Sequence, residues 1–205
     1  MTGRPAVAAL ALLLLASCSG GILPAPPPAP TLYRLTPMTG AAAQTPASDV
    51  QLVVDMPAAS GSLDTERIAL ARGANGFDYF AGAAWTDRAP AMVQRLIIQS
   101  LTNAGQIRVV APPSGELRPD AVLQTDLRQF EAIYQSGDQP IVHVELNCRL
   151  VRLPERTVLA VQRFAGEARA SGNSTAPIVA AFDEAFHAAV GALVPWVAQN
   201  LPARR

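Results

Sequence analysis

The N-terminal segment places the strongest constraint on this chain. Arg4 and the free amine precede an unbroken apolar run over residues 6–15. The run is too short for a membrane-spanning helix, which needs about 20 apolar residues, but it has the length of a signal-peptide core, roughly 7 to 15 residues. We therefore expect residues 1–17 to be an export signal that is removed from the mature protein.

The apolar run ends in Leu15-Ala16-Ser17-Cys18. Small residues before a cysteine are typical of the site that lipoprotein signal peptidase recognises, after which the cysteine becomes the lipidated first residue. The alternative is an ordinary cleavage site beside an incidental cysteine. We favour lipidation of Cys18, because the chain has only 2 cysteines and one of them lies at this position.

The residue after the cysteine bears on the compartment. It is Ser19 and not Asp, and in many Gram-negative bacteria Asp at this position retains a lipoprotein in the inner membrane. The sequence therefore favours the periplasmic face of the outer membrane, with palmitate or similar acyl chains at Cys18 as the anchor.

The mature chain divides into a tether and one domain. Residues 19–30, SGGILPAPPPAP, cannot pack a core and favour an extended polyproline conformation. We expect residues 18–30 to form the lipidated spacer, 31–200 a single folded domain and 201–205 a tail. A chain of this length holds one ordinary domain more readily than two.

The apolar patterns predict both strands and helices. The first helix is expected to begin at Pro90 and to end at Asn103-Ala104-Gly105, and the second to begin at Pro177, with Pro195 bending or fraying its last turn. The fold class is therefore α/β, a single layered domain with a mixed β-sheet covered by two main helices. Strands are expected over residues 31–35, 50–56, 67–70, 77–80, 107–110, 121–130, 141–152 and 158–168, with hairpin turns near Gly73 and Pro154.

One strand, residues 141–152, has a regular alternation that predicts a packed face and a face toward water or a partner. The apolar set includes Cys148, for which we favour a buried, inert thiol over a reactive one. The packed face is formed by Val142, Val144, Leu146, Cys148 and Leu150, and the outer face by His143, Glu145, Asn147 and Arg149.

The sequence offers little that could carry catalysis. We find no nucleophile elbow, no phosphate-binding glycine loop and no C-x-x-C pair. Glu184 and His187 would share a helix face, as in carboxylate-bridged metal sites, but such sites use two of these motifs. We therefore favour a solvated pair, and we predict no catalytic residue, no metal and no cofactor.

Charge also limits the classes of partner. The formal net charge is zero and no basic cluster stands out, so the electrostatic footprint of a nucleic-acid-binding protein is absent.

Residues that precede the first helix are candidates for contact with a protein partner. Tyr79, Trp85 and Arg88 are of the types that dominate interface hot spots, and His143 and Glu145 join them on the polar strand face. The alternative for Trp85 is a core position under the helix, with Tyr79 directed outward, and we favour this alternative.

Taken together, these segments resemble the ABC-type transport auxiliary lipoprotein family. The resemblance covers most of the mature chain, and it depends on the order and spacing of its segments more than on any one of them. The segments are the lipobox, LYRL at 32–35, LDTERIAL at 63–70, FDYFAGAAW at 77–85, DRAP at 87–90, LQTDLRQFE at 123–131 and IVAAFDEA at 178–185.

The resemblance implies an α/β fold and a non-enzymatic subunit. Its partners would be a periplasmic protein of the mammalian-cell-entry (MCE) type together with an ABC permease and an ATPase on other chains, and several copies could assemble as a homo-oligomer. The transported material would be lipid or another apolar compound. Two other functions stay open: a periplasmic carrier lipoprotein that binds lipid itself, and a metal-dependent periplasmic enzyme using Glu184 and His187.

Overall fold

The structure, a computed structural model, describes residues 28–40, 48–73, 75–115, 118–135 and 137–201. These residues form nine strands and two helices. In chain order the elements are β1 (Thr31–Tyr33), β2 (Ser48–Val54), β3 (Ala58–Ala59), β4 (Arg67–Arg72), β5 (Gly76–Trp85), α1 (Ala89–Ala104), β6 (Ile107–Ala111), β7 (Ala121–Tyr134), β8 (Ile141–Arg152), β9 (Thr157–Arg169) and α2 (Thr175–Asn200).

Strand β7 organises the sheet because other strands pair with both of its edges. Along one edge β8 runs antiparallel to it, and β9 lies beyond β8. Along the other edge β2, β3 and β4 follow one another in parallel, opposite residues 121–123, 126–127 and 131–134. β6 extends the sheet beside β2, and β5 and then β1 extend it beside β4. The sheet is therefore mixed, as the sequence predicts.

The predicted strands are present with adjusted ends. β7 continues four residues past the predicted end at Phe130, because β4 pairs with it at residues 131–134. The first strand ends at Tyr33, two residues early, and Leu35 enters the core from a loop. The short strand β3 was not predicted from the sequence. Both predicted hairpins form, β4 with β5 and β8 with β9.

Both helices follow the predicted start and stop signals, with starts one or two residues earlier than predicted and a difference at Pro195. α1 carries Pro90 in its first turn and ends at Gly105, whose φ of 66° is the left-handed conformation that glycine adopts without strain. α2 begins at Thr175 and continues through Pro195 to Asn200, so its last turn is not frayed. Val194 and Val197 are buried on either side of the proline, and this packing holds the turn in place.

Both helices lie on the same face of the sheet. α1 packs against β2 and β6, and α2 against β8 and β9. Between them Trp85, Phe130 and Phe182 form an aromatic cluster with ring centroids 5.1 to 5.6 Å apart. The outward face of the sheet, on the side away from the helices, is called the open face below.

In the described part of the chain, α2 is the one helix with the length and hydropathy of a membrane span. Its apolar character has a simpler cause, since one apolar stripe of the helix is buried against the sheet. Every member of that stripe is in the core: Ile178, Phe182, Ala185, Ala189, Leu193 and Val197. We therefore assign α2 as a core helix.

The contact between α2 and β9 depends on Gly166. A Cβ atom at this position would overlap the backbone oxygen of Ala185 and lie 3.0 Å from the Cβ of Ala188. The helix can therefore approach the strand only because residue 166 has no side chain.

We predict that Gly166→Ala lowers the free energy of unfolding by about 2 to 3 kcal/mol, because the added methyl group meets rigid backbone. Gly61→Ala is the matched control, since nothing lies within 4 Å of a Cβ built there, and its effect should stay within about 1 kcal/mol. Thermal unfolding of the full chain followed by circular dichroism measures both. Equal stability of the two variants would contradict the packing of α2 on β9.

Candidate docking surface

A row of five residues crosses the open face from one side of the sheet to the other. Strand register places Tyr79 opposite Ala69, Ala69 opposite Glu131, Glu131 opposite His143, and His143 opposite Glu167. Directly opposed residues in neighbouring strands point to the same face. Two of the predicted contact residues, Tyr79 and His143, therefore lie in one row although 64 positions separate them in the sequence.

His143 lies at the charged end of this row. Its Nδ1 is 3.2 Å from Oε1 of Glu167, while its Nε2 is buried and has no hydrogen-bond partner among the described residues. Burial raises the pKa of the neighbouring Glu131, and attraction to His143 partly offsets that rise. A buried ring nitrogen without a partner is uncommon in proteins.

Glu145 occupies the next row of the open face. It lies opposite Gln129 on β7 and Ala165 on β9. Oε2 of Glu145 is 3.4 Å from a guanidinium nitrogen of Arg163. His143 and Glu145 therefore lie on the face away from the core, as predicted for the outer face of residues 141–152.

Tyr79 is held firmly in its row. Its hydroxyl donates a 3.0 Å hydrogen bond to the carbonyl oxygen of Ser62, and the guanidinium carbon of Arg67 lies 3.7 Å from its ring centroid. Phe77, which the sequence analysis did not single out, meets the Tyr79 ring edge-on at 5.4 Å and is partly exposed. This pair gives the row an aromatic end with a fixed geometry.

The two other predicted contact residues lie off this row. Trp85 is only 1% exposed and packs in the aromatic core, as the favoured alternative had it, so its ring is not part of the contact surface. Its position under α1 follows from β5 running directly into that helix. Arg88 is exposed and forms an ion pair with Asp64, and it also donates a 3.1 Å hydrogen bond to the Asp64 carbonyl.

The expected pairing of His187 with Glu184 is wrong, because His187 contacts Thr36 and Asp183 instead. His187 Nε2 lies 2.9 Å from the carbonyl oxygen of Thr36 and 3.9 Å from Asp183. Asp183 accepts two hydrogen bonds from Thr36, one from the backbone N–H and one from the hydroxyl, both 2.7 Å. The N-terminal segment therefore binds α2 at this point.

The same segment also binds α1. The backbone N–H of Met38 donates to Ser100 Oγ, and Asn103 Nδ2 donates to the Met38 carbonyl, both at 3.0 Å. Residues 36–38 thus form a strap that fastens both helices. His187 takes part in this strap through its contact with Thr36.

In the described part of the chain there is no cluster of three or more His, Cys, Asp or Glu side chains that could hold a metal ion.

Cys148 is buried, as predicted. Its environment raises the pKa of the thiol to about 12, mainly because burial penalises the thiolate, with a hydrogen bond to Thr125 acting in the opposite direction. The thiolate is the reactive form of cysteine, so this residue is inert at neutral pH. The predicted lipid-attachment and peptidase residues Leu15, Ala16, Ser17 and Cys18 lie outside the described residues.

We predict that Asp183→Ala lowers the free energy of unfolding by about 1 to 2 kcal/mol, because the two hydrogen bonds from Thr36 lose a charged acceptor. Glu184→Ala is the matched control: the neighbouring carboxylate is exposed on the same helix, and its removal should change stability by less than about 0.5 kcal/mol. Chemical denaturation of the full chain measures both variants. A control variant as unstable as Asp183→Ala would rule out the strap as the source of the effect.

Comparison with known proteins places the fold and the family. The family model described as "ABC-type transport auxiliary lipoprotein component" matches residues 33–194. The crystal structure of protein XCC0632 from Xanthomonas campestris is 28% identical with a TM-score of 0.77, over 83% of this chain and 95% of that chain. The hypothetical protein CT253 from Chlamydia trachomatis has a similar fold at 7% identity and a TM-score of 0.52, over 76% of this chain and 99% of that one.

No curated protein matches the chain. The family match runs from the end of β1 to Val194 in α2 and includes both rows of the open face described above. This protein therefore belongs to the family of ABC-type transport auxiliary lipoprotein components.

Proposed function

We propose that this chain is a non-enzymatic outer-membrane lipoprotein subunit of an MCE-type ABC transport system. It docks the periplasmic MCE-domain protein to the outer membrane, while a permease and an ATPase on other chains supply the transport step. The system moves lipids or other apolar compounds across the periplasm. The observation that carries the docking role is the open face, which neither helix covers and across which the row from Tyr79 through His143 to Glu167 runs.

The anchoring part of the proposal rests on the N-terminal sequence and on the family. Residues 1–17 are the signal peptide, and Cys18 carries the acyl chains. Each buried methylene group contributes about 0.8 kcal/mol, so one chain holds weakly and three chains hold durably. In the polyproline conformation that their composition favours, at about 3.1 Å per residue, the 12 residues of 19–30 would span roughly 37 Å. That distance is enough to lift the domain (31–200) clear of the lipid headgroups.

The docking part rests on the geometry of the open face. Tyr79 and His143 stand in one row, Glu145 in the next, and Arg88 at the start of α1. A fixed aromatic end beside a polar end is the arrangement of a protein contact, in which a few anchored side chains carry most of the binding energy. Several copies of the chain could present this face together as a homo-oligomer.

Affinity purification of the tagged full chain from solubilised envelope membranes tests the docking role. We expect an MCE-domain protein, with its permease and ATPase, to copurify with the wild-type chain. His143→Ala/Glu145→Ala should reduce this recovery about tenfold or more, since hot-spot truncations cost about 2 kcal/mol or more. Glu184→Ala/Gln199→Ala, which alters two exposed residues on the outer side of α2, should leave recovery unchanged.

Two results would contradict the proposal. One is the absence of an MCE-domain protein from the wild-type preparation, and the other is equal recovery with both double variants. The same cells report on the anchor, because Cys18→Ala should take up no labelled palmitate and should leave the outer-membrane fraction. A labelled Cys18→Ala protein in that fraction would remove the anchoring argument alone.

A further inference from the structure

The open face has a second distinctive region, at the end where the β8–β9 hairpin turns. Here Val53 of β2, Val122 of β7 and Val151 of β8 form a small hydrophobic cluster of their own, with Leu153 packed against it. All three valines are buried although both helices lie on the other side of the sheet. A cavity of about 420 Å³ lies over this cluster, and we call it the hairpin groove.

The walls of the hairpin groove combine apolar and cationic side chains. Pro113 and Pro119 line one part of it, and Val158, which is 51% exposed, lines another. Arg149 and Arg156 also line the groove. Within the described part of the chain, neither guanidinium group has a hydrogen bond or an ion pair.

The charge of the groove is complementary to an anion. Among the described residues that line it, one carboxylate stands against the two arginines, that of Asp55, which already accepts a 3.4 Å hydrogen bond from Gln124 Nε2. Arginine binds phosphate and carboxylate groups with paired, charge-assisted hydrogen bonds. The groove therefore offers a cationic rim beside an apolar floor.

The shape of the groove favours a small amphiphile over a peptide. Its volume is within the range of about 300 to 1,000 Å³ that is usual for small-molecule sites. A second hollow of about 270 Å³ shares Asp55, Gln124 and Arg149 with it. Its lining is mostly polar and includes Asp126 and Asn147, so the apolar floor is confined to the hairpin groove itself. The floor strands β7 and β8 are paired on both edges, so the backbone groups that an extended peptide would pair with are already taken.

We propose that the hairpin groove binds an anionic phospholipid, with the phosphate at Arg149 and Arg156 and the start of an acyl chain on the valine floor. This site goes beyond the docking role, because it assigns to the domain itself an affinity for lipid. It is separate from the row that contains His143, and it requires neither Cys18 nor an MCE-domain partner.

Native mass spectrometry of the full chain with water-soluble probes tests the site. We expect dihexanoylphosphatidylglycerol to be retained at least about tenfold more than glycerol 3-phosphate, which lacks the chains, or dihexanoylphosphatidylcholine, whose choline cation would face the arginines. Stronger retention of the phosphatidylglycerol probe than of both others is the supporting result.

A double variant then ties the retention to the groove. Arg149→Gln/Arg156→Gly should lower retention of the phosphatidylglycerol probe about tenfold or more. Glycine is chosen at position 156 because Arg156 has a φ of 56°, which glycine adopts more easily, so the turn is preserved. Arg128→Gln/Arg169→Gln, which removes the same charge from exposed residues outside the groove, should retain the probe as the wild type does.

Four outcomes would overturn the proposal. Equal retention of glycerol 3-phosphate would indicate a site for a free anion, and equal retention of the phosphatidylcholine probe would mean that charge is not recognised. Equal loss in both double variants would indicate general electrostatic attraction. No retention of any probe would mean that the groove is not a lipid site, and none of these results bears on capture of an MCE-domain protein.

Discussion

Strand β7 is the element on which the rest of the structure depends, since its 14 residues hydrogen-bond along both edges. On one edge β8 follows it almost throughout. On the other edge three successive short segments, β2, β3 and β4, share its length in parallel. The two branches of the sheet, β2 with β6 and β4 with β5 and β1, meet only through this strand. A one-residue shift in its pairing with a neighbouring strand would therefore exchange core-facing and surface-facing side chains in that pair of strands.

The division of the sheet into two different faces follows from that register. Alternate residues of β7 and β8 point into the core under α1 and α2, and the residues between them point away from it. The helices are fastened to each other by the strap at residues 36–38, which lies directly after β1 and thus close to the predicted tether. The strap therefore ties both helices to the segment that follows β1, on the side of the sheet opposite the open face.

Local patterns in the sequence were sufficient for much of this architecture. The alternation in residues 141–152 assigned His143, Glu145 and Cys148 to their correct faces, because a strand buried on one side imposes a period of two. Pro90 and Gly105 marked the ends of α1 for equally local reasons. The α/β class and the family could be predicted for the same reason, since they depend on the order of such segments.

Features that depend on long-range pairing could not be predicted in this way. The contact between Thr36 and Asp183 joins residues 147 positions apart, and no periodicity indicates it; Glu184 was the better candidate by local spacing alone. The row from Tyr79 to Glu167 requires the register of five strands. The valine cluster of the hairpin groove was missed because Val53, Val122 and Val151 look like ordinary strand residues until the sheet brings them together.

We propose that the open face, and not the helix surface, is the working surface of this lipoprotein. Site-specific photo-crosslinking in intact cells is the test. The crosslinking residue is placed at Asp126 or Asn147 on the open face, or at Glu184 or Gln199 on the outer side of α2. All four positions are exposed. We expect crosslinks to a partner protein or lipid from Asp126 and Asn147 only. Crosslinks to a partner from the α2 positions, with none from the open face, would show that partners bind the helix surface instead.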